Sequence, residues 1–135
     1  MPERIATAQI KDVDTAALEI DDRFPGTFGF HVLLTHDPGV EWGVEFDAVY
    51  ESARYSGKPP ILFGGDKLTV YYLPRYVGDL PRYLSFLNGV VTETNRAVEL
   101  RNSVLPNEER ERLEFREKLR AAAEQLKLGN VQGSR

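Results

Sequence analysis

The sequence predicts an α+β domain: a mostly antiparallel sheet of ferredoxin-like type, in direct or permuted order, with two helices on one face and a further, charged C-terminal helix. Three observations predict it. Phe28–Thr35 (FGFHVLLT) alternates with period two, putting Phe28, Phe30, Val32 and Leu34 on one face and His31, Leu33 and Thr35 on the other. Trp42, Phe46, Val49, Tyr50 and Ala53 recur at the spacing of an amphipathic helix. The run ILFGGDKLTVYYL sets two β-rich stretches around Gly64-Gly65-Asp66, the mark of a tight hairpin.

The elements follow in order. Arg4–Ile10 suits an extended segment with Ala6, Ala8 and Ile10 on one side, and Val13–Ile20 a short helix with Ala16, Ala17 and Ile20 inward. Asp21, Asp22, Pro25 and Gly26 mark a loop before the Phe28–Thr35 strand. Asp37 is the expected N-cap and Pro38 the first residue of a helix over Pro38–Ser56, because proline's missing N–H costs nothing there. Gly57 and Pro59-Pro60 stop that helix. In the second hairpin strand Leu68, Val70 and Tyr72 alternate with Lys67, Thr69 and Tyr71, and Pro74 ends it. A helix is expected over Gly78–Val104, capped by Asp79, with Leu80, Tyr83, Leu84, Leu87, Val91 and Val98 inward. Asn102-Ser103 and Pro106 predict a break, followed by a second helix over Glu108–Leu128. Its narrow stripe of Phe115, Leu119, Ala122 or Ala123 and Leu126 fits a seam or a partner helix. Residues 1–128 read as one domain and 129–135 as a flexible tail.

Strand–helix–hairpin–helix makes the first five elements of a βαββαβ plait, and Arg4–Ile10 is the candidate for the missing strand, beside Phe28–Thr35. Both helices would then cover the Phe28 and Phe30 face. The opposite face, with His31, Leu33, Leu62, Thr69 and Tyr71, is apolar enough to seek cover from the C-terminal helix, a second copy of the chain or a ligand.

Composition narrows the chemistry. The chain has 135 residues, a formal net charge of −4 and no cysteine, so thiol nucleophiles and disulfides are excluded and metal ligands limited to His, Asp and Glu. A mildly acidic chain gains no long-range attraction to phosphate backbones or anionic lipid. The N-terminus does not resemble a signal peptide and no apolar run approaches a membrane span, so a cytoplasmic protein with neither nucleic-acid nor membrane partner is expected.

Candidate polar positions are His31, His36, Asp37, Glu41 and Tyr71. His36, Asp37 and Glu41 are close enough in sequence for metal or acid–base chemistry, yet Asp37 is accounted for as a cap and Glu41 as a first-turn carboxylate favoured by the helix dipole. No catalytic residue, metal or cofactor is assigned. Gly64-Gly65-Asp66 is no phosphate cradle, because a strand rather than a helix follows it. Phe28-Gly29-Phe30 partly matches an RNA-recognition core but lacks its preceding basic residue and shares the periodicity of the buried face. The segment PRYVGDLPRY groups Arg75, Tyr76 and Arg82, residue types that anchor interfaces. With Leu33, Phe115 and Leu119 they form the candidate interface. The expectation is therefore a protein-interaction or self-association module, a homodimer or one partner of a protein pair, rather than an enzyme. The alternative is a small enzyme or ligand-binding protein of the dimeric plait type, with a pocket of roughly 300 Å³ or more between sheet and helices near His31, Tyr71 and Tyr72.

Overall fold

Backbone hydrogen bonding resolves the sequence into β1 (Ile10–Val13), β2 (Phe28–Leu34), α1 (Val40–Ser52), β3 (Ile61–Gly64), β4 (Lys67–Tyr72) and α2 (Leu80–Gly133), with a 3-10 turn over Pro74–Asp79 leading into α2. The structure, a computed structural model, describes residues 4–133, the side chains of 105–107 and 128–133 excepted. Internal contacts divide the chain into two units, Glu3–Leu100 and Arg101–Arg135.

The class is α+β. The four strands form one open antiparallel sheet in the order β1-β2-β4-β3. The hairpin at Gly64-Gly65-Asp66 forms as expected: Gly65 takes φ +60 and Asp66 does not, the pattern of a turn whose first central position must be glycine. In the β2–β4 register Phe28 faces Tyr72, Phe30 faces Val70 and Val32 faces Leu68, so these side chains share one face. Phe30, Val32, Leu34, Leu68, Val70 and Tyr72 are buried there, in one core with Trp42, Phe46 and Tyr50 of α1 and Tyr83, Leu87, Val91 and Val98 of α2. Both helices thus supply the cover of the same sheet face. Phe28 departs from expectation. It lies on the core face but is 44% exposed, because it begins the strand beyond the buried cluster.

Local polar groups explain most other differences. The strand expected at Arg4–Ile10 begins only at Ile10. The peptide groups of Ala8 are bound to a side chain instead: its N–H donates to Asn95 Oδ1 at 3.3 Å and its C=O accepts from Asn95 Nδ2 at 2.7 Å. Ala8 is thereby locked into the core beside Ile5. No helix forms over Val13–Ile20. Asp14 Oδ1 accepts the N–H groups of Ala16 at 2.9 Å and Ala17 at 3.3 Å, a local turn that competes with helical bonding. Glu19 then exchanges both backbone bonds with Gly29, at 2.9 and 2.7 Å, extending the β1 side of the sheet. Asp37 is not the helix cap: its Oδ1 takes the N–H of Gly39, whose φ of +94 turns the chain into α1 at Val40. The break expected at Asn102-Ser103 and Pro106 is absent, and α2 runs as one helix from Leu80 to Gly133. Asparagine and serine cost only a few tenths of a kcal/mol in a helix, too little to force an end, while nothing in the structure explains how the helix carries the larger cost of Pro106, about 3 kcal/mol. The tail expected at 129–135 is helical as far as Gly133, and 134–135 lie outside the described residues. Among the described residues no helix is long and apolar enough to cross a membrane.

Asn95 is the polar centre of this packing. Its Oδ1 also accepts the indole N–H of Trp42 at 2.8 Å, so one side chain ties α1, α2 and the N-terminal segment together. Trp42 stacks on Phe46 with ring centroids 5.4 Å apart and touches Phe63 at the same distance. The close approach of Phe63 requires Gly43, where a Cβ would meet Phe63 Cδ2 at 2.5 Å. Tyr50 donates to the carbonyl of Pro59 at 2.6 Å and lies 2.9 Å from the hydroxyl of Tyr83.

Candidate functional site

The sheet face away from the helices is partly covered by the chain's own connection between β1 and β2. Tyr71 is buried beneath Phe24, with ring centroids 4.6 Å apart. Its hydroxyl donates to Glu19 Oε1 at 2.6 Å, while His31 Nε2 lies 3.0 Å from Glu19 Oε2. Gly29 makes room for this arrangement, since a Cβ there would stand 2.8 Å from both Glu19 Cγ and Tyr71 Cε1. The chemistry is that of a structural bridge. The Tyr71 phenol, bonded to a carboxylate, is pushed up to about 12 and keeps its proton at neutral pH. Glu19 is held below the usual carboxylate range by its bonds to Tyr71 and then His31, and keeps its charge. Neither group is poised to exchange a proton near pH 7.

The sign of the Glu19 shift gives a pH prediction. A lowered folded-state pKa contributes stability above the ordinary glutamate range, and that stability is lost as pH falls through the folded value. The wild-type Tm is therefore expected to fall more steeply below about pH 4.5 than that of Glu19→Gln, which has no such proton to take up. Parallel Tm profiles in thermal melts by circular dichroism would contradict the assignment.

A cleft of about 820 Å³ opens within the Glu3–Leu100 unit. Three connections build its walls. The one before β2 brings Arg23, Phe24 and Pro25; the one after α1 brings Arg54, Tyr55 and Lys58 through Pro60; the end of β4 and the 3-10 turn bring Tyr72, Leu73, Tyr76 and Asp79. Arg82, in the first turn of α2, completes it. The walls are fixed by internal bonds. Lys58 Nζ donates to the carbonyls of Tyr50, Glu51 and Ala53, closing the exposed C=O groups at the end of α1. Arg23 grips Asp21 through Nε at 3.0 Å and Nη2 at 2.6 Å, which draws the Asp21 carboxyl down to about 2. The Tyr55 hydroxyl donates to Asp79 and is pushed up to about 12 by that bond, and the Tyr72 hydroxyl donates to the carbonyl of Tyr76 at 2.9 Å.

The sequence-derived candidates are distributed over separate places. His31 and Tyr71 meet at Glu19. His36 is exposed, its Nδ1 3.2 Å from the Thr35 hydroxyl, and Glu41 is exposed in the first turn of α1. His36, Asp37 and Glu41 make no metal-holding group; among the described residues no three His, Asp or Glu side chains do. Leu33 is half-buried on the outer sheet face. Tyr76 and Arg82 line the cleft, and the Arg75 guanidinium lies 5.1 Å from the centre of the Tyr76 ring. Phe115 and Leu119 belong to the second unit and are exposed. Sequence reasoning missed Glu19, Lys58 and Asn95, whose roles depend on tertiary contacts. Only the Gly57-Lys58-Pro59-Pro60 stop after a helix hinted that a cation could reach back to cap it. Comparison of the chain with protein-family models, with curated proteins and with solved structures finds no match.

Proposed function

We propose that this chain is a self-association module that pairs with a second copy of itself through residues 108–127 of α2. One observation carries the reading: Phe115, Leu119 and Leu126 are 68%, 58% and 66% exposed, on a stretch whose side chains from Glu111 to Lys127 all lie open. With Ala122 these residues follow spacings of four, three and four, the seam of a two-stranded coiled coil. Helices of this composition gain their stability from packing an apolar face rather than from propensity alone. The charges favour a like partner. Between 108 and 127 six Glu stand against six Lys and Arg, so a copy of the same helix offers both signs in complement while a strongly charged partner finds no excess to match. In parallel pairing Glu111 faces Arg116 of the second copy across the seam. The seam is short, and the dissociation constant is expected on the order of micromolar or weaker.

The α+β unit is read with it as a permuted ferredoxin-like plait. The support is the strand order, in which β1 stands beside β2 where a βαββαβ plait has its last strand. Sedimentation velocity across a concentration series tests the association. The wild type should pass from monomer to dimer with rising concentration. Leu119→Glu, at an exposed site, should stay monomeric, with an unchanged melt at concentrations where the wild type is also monomeric. A wild type that is monomeric throughout, or a variant that still dimerises, sinks the reading.

A further inference from the structure

We infer that the cleft in the Glu3–Leu100 unit is a binding site for a small amphipathic anion: a flat or aliphatic apolar body carrying one carboxylate or an equivalent acidic group. The inference goes beyond self-association and depends on different residues. Three features carry it. The first is size: about 820 Å³ lies within the range of sites that enclose small organic ligands. The second is charge. Its described lining carries Arg23, Arg54, Lys58 and Arg82 against the one carboxylate of Asp79, on a chain whose net charge is −4. A patch of one sign against the sign of the whole molecule concentrates the oppositely charged ligand.

The third feature is the division of hydrogen-bonding capacity. Four tyrosine hydroxyls at or near the cleft already donate within the protein: Tyr50 to Pro59, Tyr55 to Asp79, Tyr71 to Glu19 and Tyr72 to Tyr76. Lys58 is held by three carbonyls and Arg23 by Asp21. Two guanidinium groups differ. Among the described residues no carboxylate pairs with Arg54, and Arg82 is 83% exposed, 4.0 Å from Asp79 and 5.9 Å from the centre of the Tyr55 ring. The charged donors left for a ligand are therefore forked guanidinium groups, which suit a carboxylate. Between them the walls offer rings and prolines, Phe24, Tyr55, Tyr72, Pro59 and Pro60 among them, which suit an apolar body rather than a sugar or a bare ion.

The experiment uses the full chain and two probes of matched shape, 1-naphthoate and 1-naphthalenemethanol, titrated into uniformly 15N-labelled protein and followed by two-dimensional NMR. Naphthoate is expected to bind saturably, with shifts concentrated in residues 54–60 and 72–82, and about tenfold or more tighter than the alcohol because of the charge-assisted bonds. Arg54→Gln with Arg82→Gln, both at exposed positions, should bring naphthoate to the affinity of the alcohol while leaving the spectrum dispersed. Several results would overturn the assignment: equal affinity for anion and alcohol, shifts confined to residues 101–127, a preference for naphthoate that survives the double substitution, or no saturable binding at millimolar probe.

Discussion

Trp42→Ala is expected to lower the unfolding free energy by about 3–5 kcal/mol, the cost of removing a large buried ring and leaving a cavity behind it. Trp42 is fully buried, lies between Phe46 and Phe63, and fills space that no flexible side chain could reclaim without disturbing both helices. A second loss adds to the cavity. Asn95 Oδ1 would keep only the N–H of Ala8, at 3.3 Å, in place of the 2.8 Å bond from the indole. Trp42→Phe separates the two effects: it keeps most of the ring, removes the N–H, and should cost about 1–3 kcal/mol. Urea unfolding followed by circular dichroism measures both, since the protein's one tryptophan is itself removed. A loss below about 1 kcal/mol for Trp42→Ala would mean that α1 does not close over the sheet as described.

Tyr50→Phe should be the most damaging of the conservative changes, at about 2–4 kcal/mol, because it leaves two buried polar groups without partners. The direction of the protons decides this. Tyr50 has one hydroxyl hydrogen and gives it to the Pro59 carbonyl, so the hydrogen between the two phenols belongs to Tyr83. Removing the Tyr50 oxygen strands both the Pro59 carbonyl and the Tyr83 O–H. Tyr83→Phe strands neither and should cost about 1 kcal/mol. The reverse ranking in urea would refute the assigned direction. Burial pushes Tyr50 up to about 12 and Tyr83 higher still, so their contribution is complete below the ordinary tyrosine value and declines as pH rises through the folded-state values. Stability should therefore hold to about pH 10 and fall beyond it.

What the sequence made legible was periodicity. The strand at Phe28–Leu34, the stripe from Trp42 to Tyr50 and the glycine turn at Gly65 each carry their signal in consecutive residues, and each forms. What it hid were side chains that capture distant backbone. Asp14 turned an expected helix into a loop, Asn95 withdrew Ala8 from strand pairing, and Lys58 reached back to cap α1. Helix continuity was hidden for another reason: Asn102 and Ser103 are common at helix ends but not incompatible with helix interiors. The outer sheet face was expected to need cover for Tyr71; the cover is Phe24 and Glu19, from a segment with too few apolar residues to announce it. The cleft was legible only in part. PRYVGDLPRY supplies Tyr76 and Arg82, while no periodicity or motif in the sequence marks Arg54.

The sheet's two margins have a consequence for self-recognition. β1 and β3 are four residues long, β1 is kinked between Ile10 and Asp12 and carries Lys11 and Asp12, and β3 is entered from Pro59-Pro60. A foreign strand laid along either border finds few rungs, a charge or a bend. Copies of this chain are thereby steered away from growing as a continuous cross-β ribbon.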